Sequence, residues 1–226
     1  MSTGRTSVRA WDLPVRLFHW VVVILVAVSV GTGLYGGNAM KWHVWSGYAL
    51  LASLVFRLLW GLVGSSTARF RDFLYGPARM LAFARDMLAR RRTFFLGHNP
   101  LGGAMVLVMV LCLLFQAGTG LFANDDIATE GPLYNWISKD LSDRLTAWHK
   151  LNIKIVYGLV ALHVAAVLYH WLVLKENLVT AMFTGRKNPP PGSEPHDARF
   201  ASPWIALALF AATAAGVWLL VSSPTL

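Results

Sequence analysis

Cysteine is nearly absent from this chain: Cys112 stands alone, in the middle of an apolar stretch. A single thiol excludes an internal disulfide, a cysteine-ligated iron–sulfur cluster and the C-x-x-C-H attachment of a covalent haem. Charge is scarce too, at 14% of 226 residues, and acid is the scarcer sign, with 11 Asp and Glu against 20 Lys and Arg. No repeat of 20–50 residues is visible. Nor does an A-x-A-like cleavage site follow the first apolar run, which is longer than a signal-peptide core and contains His19. The basic N-terminus is therefore not read as a secretory signal.

What the sequence has in excess is apolar length. Hydrophobic residues make up 56% of the chain, with ten tryptophans among them, and crossing a bilayer takes about 20 apolar residues per helix. Five stretches qualify: Leu17–Tyr35, His43–Val63, Leu101–Phe122, Trp148–Leu174 and Trp204–Val221. An all-α integral membrane protein is expected. The formal net charge of +9 would suit a nucleic-acid partner, but its distribution follows membrane topology instead. Ser65–His98 carries Arg69, Arg71, Arg79, Arg85, Arg90, Arg91 and Arg92 against Asp72 and Asp86, and the N-terminus adds Arg5, Arg9 and Arg16. Ala123–Ala147 carries Asp125, Asp126, Glu130, Asp140 and Asp143 against Lys139 and Arg144. Under the positive-inside rule the N-terminus is cytoplasmic and the acidic connection lies outside. The expected layout is a cytoplasmic N-terminus over 1–16, a transmembrane domain over 17–187, a proline-rich cytoplasmic linker over 188–203 and a fifth transmembrane helix over 204–226.

Between the spans, Pro77 to Ala89 has helical spacing of apolar residues, and a proline suits its first turn. Two placements fit: in the interface against anionic headgroups, or solvated in the cytoplasm. The connection ANDDIATEGPLYNWISKDLSDRLTA mixes turn signals with an apolar group of Leu133, Tyr134, Trp136 and Ile137, where a short helix capping the outer face is expected. Ser142 followed by Leu145 lacks the acidic residue of a capping box, so the next helix is placed only approximately, near Trp148. NPPPGSEPHD reads as a mobile linker. The fifth span holds Trp204 and Trp218 but no histidine or charge, and is assigned to lipid or a partner.

Four histidines mark the spans. His19 and His43 open the first and second; His149 and His163 share the fourth, fourteen residues apart. That interval is close to four turns, so both project from one face, about 21 Å apart along the axis. With the N-terminus inside, His43 and His149 lie at the outer level, and His19 and His163 at the inner level. A histidine within a bilayer-length helix needs a partner for its ring nitrogens, and a haem iron supplies one. Two bis-histidine sites, His43 with His149 and His19 with His163, account for all four, each holding a non-covalent b haem. A single histidine at a helix end would instead be read as interfacial. Arg57 at the inner level and Lys154 at the outer are candidates for haem propionates, whereas Lys150 reads as snorkelling to the interface. Gly31, Gly33, Gly118 and Gly120 at the outer level, and Gly102 and Gly103 at the inner, would let a flat macrocycle approach. Helix packing explains any one of them better.

The segments RAWDLPVRLFHW around His19, WHVWSGYALL around His43 and AWHKLNIKIVYGLVALH around His149 and His163 resemble the bacterial cytochrome b561 family. More broadly they are similar to the di-haem b-type subunits of nickel–iron hydrogenase and formate dehydrogenase. The resemblance covers roughly Arg9 to Lys187. It implies a four-helix transmembrane bundle in the bacterial inner membrane, holding two b haems that pass electrons between membrane quinone and a partner. The fifth helix departs from that pattern. In the formate dehydrogenase type the quinone lies near an asparagine that opens the third span, a position that Asn99 of GHNPLGG occupies here. His170, at the cytoplasmic boundary, then reads as interfacial or as a proton donor beside the quinone.

The expected function is electron transfer across the membrane between the quinone pool and a periplasmic redox partner, a c-type cytochrome or a periplasmic redox enzyme. A basic partner would dock on the loop of Asp125, Asp126 and Glu130, unless that loop is merely solvated. The rival reading is a superoxide:quinone oxidoreductase, an activity found within the family, with Lys41, Lys150 and Lys154 drawing in the anion. A haem-carrying assembly or sensory subunit is a third. The sequence leaves a homodimer open.

Overall fold

The computed structural model describes residues 7–91, 93–190 and 196–223. Arg5, Arg92 and residues 191–195 of the proline tract lie outside them. In chain order the elements are β1 (Val8–Arg9), α1 (Leu13–Tyr35), α2 (Met40–Val63), α3 (Phe70–Phe73), α4 (Pro77–Leu88), α5 (Pro100–Gly120), α6 (Lys139–Leu172), α7 (Leu178–Thr184), β2 (Arg186–Lys187) and α8 (Pro203–Ser222). Single 3-10 turns cover Gly37–Ala39 and Tyr134–Trp136. Among the described residues α1, α2, α5, α6 and α8 are long and apolar enough to cross a membrane. Leu17, Val21, Ile24 and Val28 are exposed along α1, which is tolerable because lipid tails are as apolar as the side chains themselves.

The chain divides into two compact units. The first takes Met1–Leu17, Leu59–Val108 and Val160–Ala206; the second takes Phe18–Leu58, Met109–Leu159 and Leu207–Leu226.

In the first unit, Asp12 caps α1 by accepting from Val15 N at 2.8 Å, while its other oxygen accepts from the buried indole of Trp60 at 3.0 Å. β1 pairs antiparallel with β2, Val8 opposite Lys187. Gly185, with φ of 76°, ends α7 in the left-handed region, and a Cβ there would lie 2.8 Å from Trp11 O; only glycine fits. The Arg16 guanidinium donates to the carbonyls of Met182 and Phe183, the negative end of α7. Residues 197–201 are strapped down: Arg9 N donates to Asp197 Oδ1 at 2.7 Å, Ser66 N to Arg199 O at 2.9 Å and Ala201 N to Ser65 Oγ at 3.0 Å. The mobility expected of the proline-rich tract therefore does not extend to this stretch.

In the second unit, Gly36 and Gly37, with φ of 68° and 53°, turn the chain sharply between α1 and α2. Leu51, Ala52, Leu121, Leu133 and Val217 form a buried apolar cluster. Trp218 of α8 stacks on Trp45 of α2 at 6.0 Å between ring centroids. The connection before α6 is folded on itself. Gly131 N donates to Ala123 O at 2.7 Å and Leu133 N to Leu121 O at 2.9 Å. The expected capping helix is a single 3-10 turn, because Leu133 is drawn into the apolar cluster while Trp136 stays exposed. α6 starts at Lys139, nine residues before Trp148. Ser142 is not a cap: fully buried, it donates to Phe122 O at 2.7 Å and accepts from Asn124 Nδ2 at 2.6 Å.

Candidate functional site

The short α1–α2 hairpin brings Ser29 against His43, and His43 Nδ1 donates to Ser29 O at 2.8 Å. Ser29 and Ser46 hydroxyls meet at 2.7 Å and hold the two helices in register there. On the other side, His149 Nδ1 donates to Gln116 O of α5 at 2.9 Å. A carbonyl can only accept, so each imidazole carries a proton on Nδ1, which leaves Nε2 for another partner. The two ring centroids are 6.0 Å apart with planes at 77°. Two imidazoles that bind one iron from opposite sides through Nε2, at about 2 Å per bond, hold their centroids about 6 Å apart. The pair fits a shared iron in spacing and in having each Nδ1 already engaged by a carbonyl.

Room for these rings comes from two glycines. A Cβ on Gly33 would lie 2.9 Å from His43 Nδ1, and one on Gly120 would lie 3.1 Å from His149 Cε1. At Gly31, Gly47 and Gly118 a Cβ would meet nothing within 4 Å. Gly103, by contrast, is a packing residue, since a Cβ there would strike Phe73 O. The structure thus separates glycines that the sequence presents alike.

His19 is half-buried on α1 with its ring edge-on to Trp20 at 4.9 Å, and belongs to the second unit. His163 is half-buried on α6 and belongs to the first. Arg57 on α2 is 2% exposed, whereas Lys150 and Lys154 are exposed. Asn99 caps α5, its Oδ1 accepting from Gly102 N at 2.7 Å, and turns its Nδ2 to His170 Nε2 at 3.4 Å.

His170 is buried at 5% exposure, and Glu176 Oε2 accepts from its Nδ1 at 2.9 Å. Lys187 lies 3.5 Å from the other Glu176 oxygen and donates to Phe95 O and Gly97 O at 3.0 and 3.2 Å. Burial pushes the Glu176 carboxyl upward, but the bond from His170 and the charge of Lys187 outweigh it and hold the group below its ordinary range. Burial lowers the Lys187 ammonium, with Glu176 opposing.

The acidic connection is less available than its sequence suggests. Asp125 Oδ1 accepts from the backbone N–H of Ile127, Ala128 and Thr129 at 3.0, 2.9 and 2.8 Å; these bonds, that from Thr129 first, hold it well below the usual carboxylate range. Lys139 bridges Asp126 at 2.6 Å and Asp143 at 3.0 Å.

Sequence reasoning missed the polar residues that support His149: Gln116, Thr119 and Asn152. Their signal was residue type, an amide or hydroxyl inside a bilayer-length apolar helix, which needs an internal partner just as a histidine does.

A model of the family described as prokaryotic cytochrome b561 matches residues 10–185. A probable Ni/Fe-hydrogenase B-type cytochrome subunit of Azotobacter vinelandii is 25% identical over 216 residues, covering 80% of this chain and 88% of the relative. The corresponding Rhizobium leguminosarum bv. viciae protein is 24% identical, covering 81% and 90%. A probable Ni/Fe-hydrogenase 1 B-type cytochrome subunit of Escherichia coli is 21% identical, covering 79% and 89%. No solved structure matches the chain.

Proposed function

Because the chain belongs to the prokaryotic cytochrome b561 family, a family of bacterial membrane proteins that carry haem b in electron transport, we propose that one b haem is held between His43 and His149. The observation that carries this reading is the pair itself: rings 6.0 Å apart, each with Nδ1 committed to a carbonyl of its own neighbourhood. When bound, the haem supplies a one-electron couple. Held by two histidines, the iron would have no open position, which would favour outer-sphere electron transfer over oxygen binding. A second haem on His19 and His163 follows from the sequence register of α1 and α6, and the buried Arg57 is assigned to a propionate. Lys154, exposed on α6, is assigned to a propionate at the outer level.

The protein spans the inner membrane with its N-terminus in the cytoplasm and exchanges electrons with quinone near Asn99. At the outer face it serves a redox partner. The relatives are named as hydrogenase cytochrome subunits, which favours a membrane-attached oxidoreductase module of that kind over a diffusible c-type cytochrome. The internal engagement of Asp125 and Asp126 also weakens a purely charge-guided docking on that loop.

The chain's own contribution is placement. Ser29 O and Gln116 O orient the rings, and the apolar helices exclude water. The test is His149→Ala with haem counted by pyridine haemochrome and reduction followed with a quinol and with dithionite. One haem should be lost, the other staying quinol-reducible. Retention of both would sink the assignment, and superoxide-driven reduction of the wild type without a partner would turn the reading to the superoxide alternative.

A further inference from the structure

Gln116 and Asn152 are two amides set inside apolar helices, exposed by only 8% and 6%. Burying an amide in such surroundings is costly unless its donors and acceptors are matched. Here the matching converges on one imidazole. His149 Nδ1 donates to Gln116 O at 2.9 Å, and Gln116 Nε2 donates back to His149 O at 3.1 Å. Asn152 Nδ2 donates to Gln116 Oε1 at 2.8 Å and to Cys112 O at 3.0 Å. Thr119 Oγ1 lies 3.3 Å from the same Nδ1. The result is a reciprocal clasp between α5 and α6. Asn152 grips two positions of α5 one turn apart, so neither helix can slide without breaking a buried bond. His43 has a simpler support, the Ser29 carbonyl at 2.8 Å.

We propose that Asn152, acting through Gln116, is a positioning residue that sets the reduction potential of the haem held by His43 and His149; this rests on the haem assignment made above. The physical link is ligand basicity. A short, well-aligned Nδ1–H bond to a fixed carbonyl makes Nε2 a stronger electron donor, which favours the oxidised iron and lowers the potential. Freeing Gln116 lets that bond lengthen, and the potential rises.

The test is Asn152→Leu, similar in volume but without donors, compared with wild type by redox titration of the haem α-bands and by low-temperature electron paramagnetic resonance of the oxidised protein. One haem should move to higher potential, its reduced-to-oxidised ratio at a fixed ambient potential rising about three- to tenfold. Its low-spin resonance should shift, while the other haem stays put. Gln116→Met removes the bond from Asn152 to Gln116 Oε1 from the α5 side, together with that from Gln116 Nε2 to His149 O, and should shift the same haem in the same direction; it decides the matter if Asn152→Leu does not fold. Two haems with unchanged potentials and resonances in either folded variant overturn the proposal, as does an equal shift of both haems. Failure of the haem assignment is told apart by His149→Ala: if that variant keeps both haems, the assignment falls, whatever the clasp does.

Discussion

Gly33 and Gly120 illustrate what a single hydrogen in place of a methyl group can decide. The rings of His43 and His149 pass so close to them that a Cβ would sit 2.9 and 3.1 Å from ring atoms. Gly33→Ala should push the His43 ring off its bond to Ser29 O, at a cost of roughly 1–3 kcal/mol for overpacking. The expected outcome is loss of about half the haem counted by pyridine haemochrome; a full complement would show that the ring has room to yield. At this scale the histidines were legible, because an ionisable ring within an apolar helix stands out by type. The glycines were not: Gly31 and Gly33 are two residues apart with the same helical neighbourhood, and only the facing helix tells them apart.

At the scale of elements, α6 is tied down at both ends. At its start, Ser142 ties the helix to Phe122 O and Asn124. Ser142→Ala leaves a buried carboxamide and a carbonyl short of a partner, at about 1–3 kcal/mol, and should make the connection over 121–138 more open to protease in detergent, with haem content unchanged. Past its end, Glu176 joins His170 to Lys187. Glu176 is held below its ordinary range in the fold, so the stability it contributes is present above its unfolded pKa and is lost as pH falls through the lowered folded value. Lys187, also lowered, binds its proton less readily folded than unfolded, so it too favours the fold as pH rises. Wild type should therefore lose thermal stability on acidification below the carboxylate range, by about 1 kcal/mol after allowance for solvent screening of the part-exposed Glu176. Glu176→Gln should be less stable at neutral pH and flatter in that acid window; an unchanged acid slope would remove Glu176 from the account. None of this was legible beforehand, since Glu176 and Lys187 look like ordinary loop charges until β2 returns Lys187 to the same place.

For the molecule as a whole, five apolar helices and a basic N-terminal side predict an odd number of crossings. A reporter fused after residue 222 should be active outside the cytoplasm, and one fused at residue 90 within it. The reverse pattern would invert the assignment of the His43–His149 site to the outer face. α8 lies beyond the family match at residues 10–185, yet Val217 enters the apolar cluster with Leu51 and Leu133 and Trp218 stacks on Trp45. It is built into the second unit rather than left wholly to lipid.

By itself the sequence determined the class of protein, because apolar length and charge asymmetry act through the solvent and need no partner residues. It carried the family resemblance as well, in the segments around His19, His43, His149 and His163, which are read along the chain without any tertiary contact. Tertiary structure decided what lies across from each of those residues. The carbonyls that hold the His43 and His149 protons, the glycines that admit their rings and the Gln116–Asn152 clasp join helices distant in sequence, and hydrogen-bond geometry at 3 Å cannot be read from composition or period.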